Sequence, residues 1–95
     1  MRTLLLGLDG VSVPILDSVS DSGVVPTIAS LVDRGATGPL TSQLPPWTPS
    51  AWPSLYTGVT PGRHGVYGFL KFDVYDHDVV DATDVHAHAL LELLD

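Results

Sequence analysis

The run Leu4-Leu5-Leu6-Gly7-Leu8, closed by Asp9-Gly10, decides the fold class. It is continuously apolar and does not alternate. Strands buried on both faces have this pattern, and parallel sheets covered by helices are built from them. Ser12 is placed to cap a helix with Pro14 in its first turn and Ile15, Leu16 and Val19 on one face. Asp21-Ser22-Gly23 ends that helix. Pro26 opens a second one, with Ile28, Leu31 and Val32 as its apolar stripe, Arg34 in its last turn and Gly35 just past it. Ala36 to Thr41 is the next extended segment. Strand, helical crossover and strand make a right-handed βαβ unit with parallel strands. The fold class is therefore α/β. Two such strands cannot form a covered sheet alone. The expectation is the front portion of a larger α/β domain spanning residues 1–95, or a sheet completed by a partner chain.

The remaining segments read less strongly. Thr48 can cap a helix with Pro49 at its first position, although Pro53 lacks the N–H that would bond back to Pro49. Thr57-Gly58 ends it. Residues 59–68 are rich in glycine and proline and read as a loop. Phe69 to Val80 reads as a short hairpin or as loop. Thr83 or Asp84 then caps a closing helix that carries Val85, Ala89, Leu90, Leu93 and Leu94.

The composition excludes several functions. Eleven acidic residues against 4 basic ones give a net charge of −7. No basic footprint for nucleic acid exists, and an anionic membrane surface would repel the chain. There are no cysteines, hence no disulfide, thiolate metal site or thiol switch. The N-terminal apolar run is shorter than a signal-peptide core of about 7–15 residues. A cytoplasmic protein is expected.

Two groups carry the chemistry. Asp9 follows the first strand, and in open α/β sheets ligands bind at the carboxyl ends of strands. A carboxylate there suits a metal ion; the alternative is a plain Asp-Gly turn. Thr48 follows the second strand at a helix start, where amide N–H groups and the helix dipole favour an anion. A metal-bound hydroxyl at that point can attack phosphorus; the alternative is simple N-capping. Ser50 and Ser54 are neighbouring hydroxyls. His64 is read as a lock on its own loop, and Arg63 as a possible phosphate contact. His86-Ala87-His88 has the look of a metal pair, but on a helix the two rings would diverge. Trp47, Trp52, Tyr56, Tyr67 and Phe69 surround the motif, either as core or as the lining of a pocket.

Leu4 to Gly10, Thr48-Pro49-Ser50-Ala51-Trp52, Leu55-Tyr56-Thr57-Gly58 and Pro61-Gly62-Arg63-His64-Gly65 together resemble the alkaline phosphatase superfamily, and most nearly its type I phosphodiesterase and nucleotide pyrophosphatase branch. The resemblance runs through most of the chain. It implies the N-terminal βαβ portion of an alkaline-phosphatase-like parallel-sheet sandwich. It also implies a two-metal hydrolase, commonly with zinc, that cleaves small-molecule phosphoesters through a covalent phosphothreonine or phosphoserine. Asp9 is then a metal ligand. The nucleophile, which also touches metal, falls nine residues before Thr57, at Thr48. The family's other Asp and His ligands come from far downstream. The 95-residue chain is therefore expected to bind metal weakly and to be inactive alone.

Two rival readings exist. Leu8-Asp9-Gly10-Val11 is similar to the opening of haloacid dehalogenase-type phosphatases, but their nucleophilic Asp would fall at Gly7. The other is a non-catalytic module that binds a phosphate or a protein.

Overall fold

The structure is a computed structural model that describes residues 2–72 and 77–94. It divides into two compact units, Met1–Leu40 and Thr41–Asp95.

The first unit is a pair of helices. Helix α1 spans Val13–Asp21, with Ser12 at the N-cap position and Pro14 in the first turn. Helix α2 spans Pro26–Arg34 and stops at Gly35. Both bounds follow the sequence signals, because a proline pre-sets the first turn of a helix. The Arg34 Nε donates to the Ser30 carbonyl at 3.1 Å in the last turn of α2. Leu16 and Val19 of α1 and Ile28 and Val32 of α2 are half-buried where the two helices pack.

The expected parallel strands are absent from the described residues. The only sheet there is an antiparallel pair further along the chain. Leu4, Leu5, Leu6 and Leu8 are 84%, 64%, 63% and 48% exposed. A strand exists only through its ladder partners, and neither Leu4–Leu8 nor Ala36–Thr41 has one here. Where the βαβ unit was expected, the described residues form two helices flanked by irregular chain. The described residues of the two units are helical with one small two-stranded sheet.

The second unit is built around helix α3, Thr48–Thr57. Leu44-Pro45 ahead of it is a cis peptide. Trp47, not Thr48, occupies the N-cap position, so the helix starts one residue earlier than its hydroxyl suggests. Pro53 lies inside the helix and is buried. The Thr57 Oγ1 bonds back to the Pro53 carbonyl at 2.5 Å. Gly58 ends α3 with φ 70°, a left-handed conformation glycine adopts without a steric cost.

A one-turn helix, α4, follows at Pro61–His64 and packs against α3. Strands β1, Leu70–Phe72, and β2, His77–Val79, form the antiparallel hairpin, with Lys71 paired opposite Asp78. The closing helix is shorter than expected. Asp81 caps a single 3-10 turn, Ala82–Asp84, by accepting from the Thr83 amide at 2.7 Å. Asp84 returns the bond by accepting from the Asp81 amide at 2.9 Å. Val85 to Ala89 then runs without helix, and only Leu90–Leu93 forms α5. The local caps won over the apolar periodicity.

Candidate active site

The centre of the second unit is polar. Ser50 and His64 are fully buried, together with Val66. The Ser50 Oγ accepts from the Gln43 Nε2 at 2.9 Å and lies 3.2 Å from the Trp47 carbonyl and 3.3 Å from the Pro45 carbonyl. The same Gln43 amide nitrogen donates to the Pro45 carbonyl at 2.7 Å. Ser50 therefore fastens the Gln43–Trp47 loop to α3. A buried hydroxyl engaged in this way is a structural bond, not an attacking group.

His64 fastens the other side. The Val66 amide donates to its Nδ1 at 3.1 Å. A nitrogen that accepts carries no proton, so in the neutral ring the proton sits on Nε2. Nε2 lies 3.0 Å from the Ser54 Oγ. Burial holds the imidazole below its ordinary pKa, partly offset by a hydrogen bond to the Ser50 backbone. The Ser50 group accepting from that ring is its carbonyl. The expected lock on the loop is present, and it reaches α3. Gly65 completes it, with φ 85°. A Cβ at Gly65 would sit 2.8 Å from the His86 ring, and the His86 amide donates to the His64 carbonyl at 2.9 Å.

Thr48 is exposed at the head of α3. It borders two grooves. One, of 310 Å³, runs past Trp52 and Tyr56 to Asp81. The other, of 370 Å³, is bounded by Pro46, Trp47 and Phe69. The aromatic residues thus line concave surface. Trp47, Tyr67 and Phe69 are 55%, 59% and 63% exposed, which corrects their reading as core. Arg63 is exposed and borders neither groove.

The helix start offers few amides to an anion. Pro49 has none, and the Ser50 and Ala51 amides both donate to the Trp47 carbonyl, at 3.1 and 2.8 Å. The expected amide cradle is largely spent on closing the first turn.

Asp9 is exposed beside Gly10, whose φ of 73° marks the expected turn. It belongs to the first unit and Thr48 to the second. Among the described residues, no three His, Cys, Asp or Glu side chains come together in a way that could hold a metal ion. The described residues therefore do not assemble the donor set of a two-metal centre. His86 packs on Gly65, and the His88 Nδ1 lies 3.2 Å from the Glu92 carboxylate. The two rings have separate partners.

The profile of the type I phosphodiesterase / nucleotide pyrophosphatase family matches residues 3–91. The chain belongs to that family. The match covers both units, from the Leu4–Gly10 run to α5, so the exposed leucine segment is part of the family's sequence pattern. No curated protein and no solved structure matched the chain. Membership makes it a phosphodiesterase/pyrophosphatase-type hydrolase sequence at family level, with small-molecule phosphoesters as the substrate class.

Sequence reasoning missed the Gln43–Ser50 and Ser54–His64 bonds. Both join residues from different elements, and no local spacing rule reports them. A weak signal existed for the second: the short interval between Ser54 and His64 contains the turn Thr57-Gly58, which folds the chain back.

Proposed function

We propose that the chain carries the nucleophile-bearing part of a phosphodiester hydrolase, with Thr48 as nucleophile and Asp9 as a donor to a divalent cation. The observation that carries this reading is the position of Thr48. It is exposed at the head of α3, is not the helix cap, and borders two grooves. A phosphodiester has two substituents, and two grooves flanking one hydroxyl suit that shape. Ser50, the competing hydroxyl, is buried and engaged.

In the proposed step the Thr48 oxygen bonds phosphorus as one ester P–O bond breaks, and the proton lost by Thr48 ends on the departing alcohol. Water then cleaves the phosphothreonine and frees Thr48. A pair of divalent ions, zinc in the family resemblance, would supply charge neutralisation at phosphorus. Asp9 and Thr48 alone are too few to hold such a pair, and the described residues add no converging group of donors. Leu4–Leu8 and Ala36–Thr41 are proposed to pair as parallel strands once further sheet is supplied by the rest of an alkaline-phosphatase-like sandwich or a partner chain.

The test is a metal-titrated assay with an aryl phosphodiester and an aryl monoester. It is run on this chain and on a polypeptide that supplies the missing Asp and His donors. Thr48→Ala should abolish diester turnover in the active form and leave the circular dichroism spectrum intact. Undiminished turnover would remove Thr48 as nucleophile. The lack of a converging donor set among the described residues favours one second reading, a phosphate- or protein-binding module without catalysis. Absence of turnover in every metal-loaded form would select it.

A further inference from the structure

Gln43 reaches across the loop that delivers Thr48. Its Nε2 donates to the Pro45 carbonyl at 2.7 Å and to the Ser50 Oγ at 2.9 Å, so one side-chain amide links the approach to α3 with its first turn. Neither acceptor depends on Gln43 for a partner. The Pro45 carbonyl also accepts from the Trp47 amide at 2.8 Å, and the Ser50 Oγ lies 3.3 and 3.2 Å from the Pro45 and Trp47 carbonyls. The Gln43 Oε1 is buried and accepts from no donor among the described residues. A buried acceptor without a partner costs stability. A methionine would fill a similar space without that cost, so packing does not account for a glutamine here. What its NH2 group adds is a tie across the loop.

Thr48 lies between the tied points. Trp47 before it is held at both backbone ends: its amide donates to the Pro45 carbonyl, and its own carbonyl accepts from the Ser50 and Ala51 amides at 3.1 and 2.8 Å. Pro49 after it has its φ fixed by the ring. Threonine is β-branched, and its side chain takes few χ1 positions on a given backbone. Fixing the backbone on both sides of Thr48 therefore fixes where its hydroxyl points. Trp47 also walls the 370 Å³ groove beside Thr48, so the same tie sets that wall. Orientation of this kind matters to an attacking oxygen, because a misplacement of about 1 Å can cost on the order of a hundredfold in rate.

We propose that Gln43 is a positioning residue for Thr48, whose hydroxyl it holds in one direction by tying Pro45 to Ser50. The catalytic use of that hydroxyl rests on the Thr48 reading. The hold itself does not.

The experiment measures order at Trp47 and Thr48 by amide relaxation in the 95-residue chain, with the Thr48 Hα–Hβ coupling as a report on χ1. Gln43→Glu at pH 7 keeps the shape and removes the N–H donors; Gln43→Met removes the polarity as well. The wild-type order parameters should be about 0.85 and should fall below about 0.6 in both variants, with the χ1 coupling moving to an averaged value. Ser54→Ala removes one bond further along the same helix, to His64, and should leave the order at Thr48 unchanged. Unchanged order at Thr48 in both Gln43 variants would overturn the proposal. An equal loss of order in Ser54→Ala would do so too, because the effect would then be general loosening of α3. Loss of the Val66 amide resonance in both Gln43 variants would make Gln43 a residue of the fold and likewise overturn it. No turnover is read, so failure here leaves the nucleophile reading standing, and failure of hydrolysis leaves the hold on Thr48 standing.

Discussion

The Ser54 hydroxyl lies 3.0 Å from His64 Nε2, and that nitrogen is the protonated one because Nδ1 accepts from the Val66 amide. The pair has the separation of a serine–histidine dyad and the opposite polarity. His64 shares its one N–H between the Ser50 carbonyl and the Ser54 hydroxyl, and a nitrogen that carries a proton does not take the one on Ser54. Ser54→Ala should therefore lower stability by about 1 kcal/mol, the worth of one hydrogen bond, with no specific loss of turnover in an active form. Urea denaturation followed by tryptophan fluorescence measures the first, and the diester assay the second.

Acid should loosen the second unit through the same ring. The folded-state pKa of His64 is lowered by burial. The unfolded chain therefore takes up a proton first as pH falls below about 6.5, and the folded chain does not. Stability should decline from there down to the lowered folded value, and this group adds no further slope below both. Asp81 and Asp84 are held below the ordinary carboxyl range, Asp81 first by the Thr83 hydroxyl and Asp84 first by the Asp81 amide. Their contribution is present above the ordinary carboxyl pKa and is lost as pH falls through the lowered one. Urea midpoints from pH 8 to 5 should fall in the wild type and stay nearly level in His64→Gln.

Ser50 and Thr48 should separate cleanly. Ser50→Ala removes a fully buried acceptor and leaves the Gln43 amide short of a partner. It should cost about 1–3 kcal/mol. Thr48→Ala lies at an exposed position and should change stability by less than about 0.5 kcal/mol. A stability loss for Thr48→Ala as large as that of Ser50→Ala would place Thr48 in the structural network.

Gly65→Ala combines two penalties. The backbone is left-handed, and the new methyl would meet the His86 ring at 2.8 Å. The conformational part alone should cost about 1–2 kcal/mol. Adding His86→Ala should recover the steric part and leave the conformational part. A double-mutant cycle with no coupling would show that the two residues do not press on each other.

Much of the local structure was legible in the chain because it is decided locally. Pro14 and Pro26 lie in the first turns of the first two helices as expected, Ser12 takes the N-cap position without a side-chain cap bond, and Gly58 closed the third. Phe69–Val80 held the hairpin that its weak signal allowed. The Leu4–Leu8 strand failed for the opposite reason. Its pattern reports what the segment packs against, and no packing partner is present among the described residues. The last helix failed because the Asp81–Asp84 caps close a 3-10 turn before the apolar stripe can propagate. At the candidate site, the spacing to Thr57-Gly58 singled out Thr48. It could not show that Ser50 is buried, that Asp81 shares a groove with Thr48, or that the first-turn amides are consumed. Those facts depend on residues brought together from distant parts of the unit.

Among the described residues the buried set of the second unit is small: Ser50, Pro53, Pro61, His64 and Val66. Only Val66 among them is a buried aliphatic residue. Heat-capacity change on unfolding grows with exposed apolar area and is reduced by exposed polar area. A centre made of a serine, an imidazole, two prolines and a single valine should therefore melt with a small heat-capacity step. Its stability curve should be flat with temperature, so that chilling costs the unit little and warming erodes it gradually over a broad calorimetric transition.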